Sequence, residues 1–276
     1  MAEEEDLPDY EPMLAAYHRA YAVELKSMID GLPIREGDRV LEAACGDGSY
    51  TPWLAERVGD GGSVVAFDVL PAFLRVASRE AARSDDASRI RFVTASIDRL
   101  PFAEGSFDVA WCAQSLFSLP EPVASVRQLA GRVRPGGLVA VLENDTLHQI
   151  ILPWPVELEL ALRTAEWKSF REESDHPGKF YVGRRLLKVF RQAGLVDIRI
   201  DTHASDRVAP LDESVRTFLG EYLADLVERV GPRLDPGHRR ALEKLADPDS
   251  PGSLVNDPDT TLTCIDHVVS GRVPAA

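Results

Sequence analysis

An α/β, doubly wound domain with a mostly parallel sheet is the fold class this sequence predicts, on three observations. Short β-rich runs alternate with helical ones from residue 36 to residue 145, the order that parallel strands with crossover helices require. The first run ends in a turn bearing two glycines and passes at once into a helix. The second run ends in an aspartate, at the end of the strand where open α/β sheets meet their ligands.

The elements follow in order. Residues 1 to 9 are expected to fray. Residues 10–29 carry Leu14, Tyr17, Tyr21, Leu25 and Met28 at spacings of three or four, the pattern of one amphipathic helix. Gly31-Leu-Pro stops it. Strands are expected at 39–44, 63–67, 90–94, 107–112 and 138–143, with helices at 50–58, 71–83 and 122–133 between them. Gly59 through Gly62 and Pro135-Gly-Gly punctuate the series. Beyond residue 145 the pattern turns helical. Helices are expected at 155–172 and 181–192, a strand at 195–202, two helices within 211–246, and a last strand at 261–269. A strand arriving after a helical insertion is expected to run antiparallel beside its predecessor.

The chain has 276 residues, of which 45% are hydrophobic, enough for one core and a modest lid. No apolar run approaches the ~20 residues a membrane-spanning helix needs. The start, Met1-Ala-Glu-Glu-Glu-Asp, is acidic where a targeting segment is basic, so the expected location is the cytoplasm and no membrane insertion is expected. The net charge of -14 repels phosphate backbones, and nucleic acid is not an expected partner. The densest basic stretch, from Lys168 to Arg191, reads as solvated helix faces, with an anion-binding lid as the alternative. Cys45, Cys112 and Cys264 form no C-x-x-C pair or metal-spaced cluster; they read as core thiols, and no metal is expected.

Val40-Leu-Glu-Ala-Ala-Cys-Gly-Asp-Gly-Ser-Tyr-Thr-Pro is the most informative segment. Gly46 and Gly48 let backbone N–H groups approach a ligand at the positive end of a helix, and the small Ala44 serves the same closeness. Glu42 sets a carboxylate beside the loop, where it can accept hydrogen bonds from a ligand amine. A nicotinamide site asks for a third Gly or Ala where this chain has Thr51, which disfavours an oxidoreductase. Asp68 stands 20 residues past Gly48, where a carboxylate meets ribose hydroxyls; capping the helix that starts near Pro71 is the alternative.

On these residues the chain resembles the class I S-adenosylmethionine-dependent methyltransferases, especially the ubiquinone and menaquinone biosynthesis group. Leu41-Glu-Ala-Ala-Cys-Gly-Asp-Gly resembles the family's glycine motif, with Ala44 in place of its first glycine. Asp68 matches its ribose-binding acid. Ile97-Asp-Arg-Leu-Pro-Phe-Ala-Glu-Gly-Ser-Phe-Asp-Val resembles the adenine stretch, and Arg134-Pro-Gly-Gly-Leu-Val-Ala-Val the turn into the fifth strand. Ser96 stands where the family often has an acid, and the histidine it frequently places near Ser118 is absent.

The resemblance implies a Rossmann-like, seven-stranded sheet with an antiparallel last strand, and S-adenosyl-L-methionine as cofactor. It adds Val69, Ser96, Ile97 and Ala113 to the expected cofactor residues. It also implies an N-terminal helix over the cofactor, whose Tyr10, Tyr17 and Tyr21 are candidates for closing the site, with ordinary packing as the alternative for each. The expected layout is one domain over 1–276: a helical cover at 10–30, the cofactor core at 36–145, lid insertions at 146–192 and 204–259, and closing strands at 193–203 and 260–272.

The segment leaving the fifth strand holds the acceptor-side candidates Asn144, Asp145 and His148, the last as a general base. Surface placement of His148 and helix capping by Asp145 are the alternatives. Trp154, Trp167, Phe180 and Tyr181 suggest an apolar, aromatic-bearing lid, Trp154 and Tyr181 being candidates for acceptor contact, with core packing as the alternative for all four. The expected reaction is methyl transfer to an O, N or C nucleophile of a small, lipophilic or aromatic molecule. A non-methylating reaction on the same cofactor, or nicotinamide redox chemistry, are the other classes.

Overall fold

The computed structural model describes residues 7, 8, 10–119 and 121–275, so the fraying expected of residues 1 to 9 falls mostly outside them. The sheet is mixed and doubly wound. Its strands β1 (Arg39–Ala43), β2 (Ser63–Asp68), β3 (Ile90–Thr94), β4 (Phe107–Ala113) and β5 (Val133–Glu143) are parallel, in the order β3-β2-β1-β4-β5. Two-residue β6 (Ile150–Ile151) and the long β7 (Val196–Val208) both pair antiparallel with β8 (Thr261–Arg272), which is itself antiparallel to β5. The expected antiparallel last strand is present. The described strands number eight rather than seven because the chain, after its turn past β5, touches β8 once more through Ile150 and Ile151.

Period-two alternation divides the core. Val40, Val109, Trp111, Leu138, Ala140 and Leu142 face one apolar cluster, while Leu41, Ala43, Ala110, Cys112, Val139 and Val141 face the other. Both faces of the central strands are buried, as a sheet coated by helices on each side demands. Helices α1 (Glu11–Ala20), α2 (Ala22–Asp30) and α3 (Thr51–Val58) contribute to the first cluster, together with α6 (Val156–Glu173) and α8 (Glu213–Asp225). The second cluster takes in α5 (Pro122–Arg132) and α7 (Leu186–Ala193). Helix α4 (Pro71–Ala81) covers β2 and β3, while α9 (Pro236–Ala246) packs on α6 and adds Leu242 to the first cluster.

Several local expectations change, among them the strand expected over 195–202, which continues as β7 to Val208 into the segment expected to open a lid insertion at 204. The single helix expected over 10–29 breaks at Tyr21. Arg207 on β7 donates to the Ala20 carbonyl (2.7 Å) and to Glu24, and a side chain inserted into the hydrogen-bond ladder kinks a helix. The helix expected over 181–192 starts only at Leu186, after two 3-10 turns, Pro177–Tyr181 and Gly183–Arg185. The Arg134-Pro-Gly-Gly turn lies inside β5 as a bulge. Phe107 pairs with Val133 but Val109 already pairs with Leu138, and a Cβ on Gly137 would sit 2.6 Å from the Asp108 carbonyl oxygen.

Candidate functional site

A cavity of about 680 Å³ opens at the C-terminal ends of β1, β2, β4 and β5, within the ~300–1,000 Å³ range of cofactor and small-molecule sites. Its first end is built mainly from backbone. Cys45 N–H donates to Phe67 O (3.0 Å) and Gly48 N–H to Cys45 O (2.9 Å), folding the loop back on β2. Ala44, Gly46 and Gly48 all have positive φ, at 49°, 53° and 79°. Alanine in this left-handed region carries a Cβ penalty on the order of 1–2 kcal/mol, so the Ala44 substitution keeps the turn under strain. Gly46 borders the cavity, and a Cβ there would meet nothing within 4 Å. Gly48 does not border it. Its Cβ would lie 2.8 Å from Ala77 Cβ, so this glycine admits α4 behind the loop.

Asp68 does not cap α4, whose N-cap is Leu70 with no side-chain cap bond. Its Oδ2 accepts from Gly46 N–H (3.0 Å) and its Oδ1 from Leu70 N–H (2.9 Å), joining the loop to the entry of α4. Each carboxylate oxygen keeps a further lone pair, and Asp68 borders the cavity beside Val69. Glu42 is buried and accepts from Thr51 Oγ1 (2.6 Å). Burial lifts its carboxyl to about 8. Ser96, Ile97 and Ala113 also border this end. The Ser96 hydroxyl accepts from Asp98 N–H (3.3 Å), and Asp98 supplies an acidic wall residue there.

The second end is aromatic. Phe117, Phe170, Phe180, Phe218 and Tyr222 border it, with Phe170 and Phe180 stacked at 4.0 Å between centroids. Asp225 and Arg229 stand at its polar edge, 2.9 Å apart as an ion pair. The lid docks on the sheet through Gly183, where a Cβ would collide with the Asn144 carbonyl, and through Thr146 Oγ1 donating to Phe180 O (2.5 Å).

Of the acceptor-side candidates, Asn144 borders the cavity. The other four do not. His148 is exposed, because its N–H closes a turn onto Asp145 O (2.7 Å) that aims the ring outward. Asp145 is buried in an ion pair with Arg184 and accepts from Leu147 N–H (3.1 Å), a structural position. Trp154 lies in the core beneath α6. Tyr181 packs on Trp167 at 5.6 Å. Successive residues of a 3-10 turn point about 120° apart, so Phe180 enters the cavity and Tyr181 leaves it.

His18 and Glu143 border the cavity without having been expected there, and Tyr17, expected, borders it too. His18 is 7% exposed, with Nε2 3.0 Å from Gln114 Oε1, which also accepts from Tyr50 Oη (3.1 Å). Burial lowers its pKa, while Asp47, 4.0 Å from Nδ1, opposes that shift. Its signal was available, since His18 lies four residues past Leu14 on the same helical stripe. Glu143 is likewise buried, accepts from Leu116 N–H, and is pushed up to about 8 by that burial. Tyr17 donates to the buried carboxylate of Asp266. Among the described residues, no cluster of three or more His, Cys, Asp or Glu side chains is arranged for a metal ion, and no helix is long and apolar enough to cross a membrane.

Residues 41–141 match the family model described as a methyltransferase domain. The chain is 25% identical over 190 residues to demethylmenaquinone methyltransferases of Staphylococcus aureus, covering 63% of this chain and 75% of theirs. In fold it is similar to a putative methyltransferase from Bacillus halodurans (TM-score 0.56, 16% identity, 92% of this chain and 99% of that one). It is also similar to a phosphoethanolamine N-methyltransferase of Haemonchus contortus (TM-score 0.54, 15% identity, 96% of this chain and 58% of that one). The glycine loop, the sheet order and these matches agree: residues 41–141 form a methyltransferase domain of the S-adenosylmethionine-dependent kind, with S-adenosylmethionine as its cofactor.

Proposed function

We propose that this enzyme methylates an O, N or C nucleophile on a small aromatic or lipophilic molecule, with cofactor and acceptor held at the two ends of one cavity. A single observation carries the reading: the glycine-loop end and the aromatic end are continuous. Glu42, Ala44, Gly46, Asp68, Val69, Ser96, Ile97 and Ala113 would surround the cofactor, with Gly48 shaping the loop from behind. The open space above Gly46 and the spare lone pairs of Asp68 fit a nucleoside there. Bound in this place, the cofactor supplies an electrophilic methyl group on a sulfonium.

The protein's own task is then alignment and exclusion of water, and alignment supplies about 7–11 kcal/mol in favourable cases. Tyr17 and His18 close the cavity from α1, Asn144 stands between its two ends, and the aromatic end takes the acceptor. His148, Asp145, Trp154 and Tyr181 have no part in this reading, since none borders the cavity. We place the cofactor core at 36–145 and the acceptor lid within 146–259, with α7 coating the sheet instead. A quinone-type acceptor is supported by the name of the Staphylococcus aureus relatives. The chain's acidity supports a small acceptor over a nucleic acid.

Calorimetry with S-adenosylhomocysteine and with NAD, followed by methyl transfer from methyl-tritiated S-adenosylmethionine to 1,4-naphthalenediol, tests this reading. Binding of the thioether but not NAD, with label in the diol, is the expected result. NAD binding alone ends it, and thioether binding with no transfer to the diol or to a panel of amines favours a non-methylating reaction.

A further inference from the structure

Asp266 is 1% exposed and lies on β8, behind the cavity wall. Its hydrogen-bond partners are neutral: Tyr17 Oη donates to both of its oxygens (2.9 and 2.8 Å) and Asn144 Nδ2 to Oδ1 (2.9 Å). A carboxylate buried this deeply without a cation is costly as an ion. Both partners border the cavity and Asp266 itself does not. The carboxylate therefore stands one hydrogen bond behind the reaction space, reached through a hydroxyl.

Resting on the methyl-transfer reading above, we propose that Tyr17 and Asp266 form a proton relay that receives the proton lost by a hydroxyl or amine acceptor. As the acceptor's oxygen or nitrogen bonds to the methyl carbon, the carbon–sulfur bond breaks and its electron pair stays on sulfur. The acceptor's proton passes to Tyr17 Oη while the Tyr17 proton passes to Asp266. One positive charge on sulfur and one negative charge on Asp266 disappear together, so the buried site ends neutral. The proton later leaves by the reverse path once product has gone.

The surroundings suit that task. Burial raises the Asp266 carboxyl to about 6, against the hydrogen bonds from Tyr17 and Asn144. The groups facing it are Tyr17 on α1, Tyr50 at the entry of α3, Asn144 after β5, Cys264 on its own strand and His203, its register partner on β7. Tyr17 is held in place by Phe218 of α8 at 5.3 Å and by Tyr21 at 5.1 Å. Burial and the adjacent Asp266 raise the Tyr17 phenol, which keeps it protonated and able to pass its proton on rather than lose it.

Asp266→Asn and Tyr17→Phe test the relay, each checked for unchanged thermal unfolding. Infrared titration of the ligand-free protein needs no acceptor. The expected result is a protonated-carboxyl band, absent from Asp266→Asn, that disappears near pH 6, together with a Tyr17 phenol band shifted in the same variant. With 1,4-naphthalenediol, each variant should lose about 100-fold or more in kcat, in line with general acid–base effects of ~10²–10⁴. The double variant should lose no more than the worse single one, and S-adenosylhomocysteine affinity should stay within threefold. A carboxyl that titrates in the ordinary range, or a phenol band indifferent to Asp266→Asn, overturns the relay whatever the diol does. A loss of thioether affinity equal to the loss of kcat reassigns the pair to cofactor binding. No transfer to the diol by the wild-type protein, with the infrared result as expected, counts against the aromatic acceptor and leaves the relay standing.

Discussion

The two ends of the cavity are built by different means. Between residues 41 and 141 the site is mostly main chain: a loop of positive-φ residues, N–H groups turned on a carboxylate, and a helix admitted by a missing Cβ. Between residues 146 and 259 it is mostly side chain: stacked rings, and a buried Arg163–Glu166–Arg229 network that ties α6 to its neighbours. A backbone site needs particular residues at fixed positions, and such a pattern is legible in one sequence. A side-chain site needs only shape and charge, which many sequences supply. The domain match stops at residue 141, just where the first kind of construction ends.

The contrast breaks if the lid network proves dispensable. Glu166 is 2% exposed and accepts from Arg163 (3.4 Å) and Arg229 (3.2 Å). Glu166→Ala leaves Arg163 with Glu159 and Arg229 with Asp225 but removes the acceptor they share, and should cost about 1–3 kcal/mol of stability, read as a fall in the urea midpoint. Affinity for S-adenosylhomocysteine should change little, and a large change would show that the two ends are energetically one site.

Asp68→Ala sharpens the comparison from the other side. It removes the acceptor shared by the loop and the start of α4, and should weaken thioether binding by about 1–3 kcal/mol in calorimetry. Unaltered binding would leave Asp68 a purely structural link.

Glu42 makes a pH-dependent test. Its folded pKa, about 8, lies above its unfolded value. Its contribution to stability is therefore fully present below the unfolded pKa and is lost as pH rises through the folded one. Glu143 and Asp266 act with the same sign. The melting temperature of the ligand-free protein should fall between about pH 5 and 8, and Glu42→Gln should flatten part of that slope; an unchanged slope would remove Glu42 as a source.

The smallest effect belongs to Ala44→Gly. Relief of the left-handed alanine, offset by a freer unfolded chain, should change stability by within about 1 kcal/mol in denaturant titration. A loss larger than that would mean the Ala44 methyl packs usefully against the loop.

Legibility followed the same division. The parallel strands, their helices and the Gly46–Asp68 pairing were readable because each rests on local periodicity or a short spacing. Wrong emphasis fell on His148, Trp154 and Tyr181, residue types suited to a site but turned away from it by a tight turn, a core position and a 3-10 twist. Of the lid aromatics read from the sequence, Phe180 does border the cavity, while Asp98, next to the expected Ile97, was close to view.

By itself the sequence determined which face each strand and helix buries, because period two and period 3.6 are properties of single elements. It also determined the glycine-lined turn after β1, since so few residues tolerate that backbone. Only the tertiary structure decided that Tyr17 meets Asp266 across 249 positions, or that Phe170 and Phe180 share a wall. Such meetings depend on strand register and helix docking, which summed burial over the whole chain selects and no local pattern encodes.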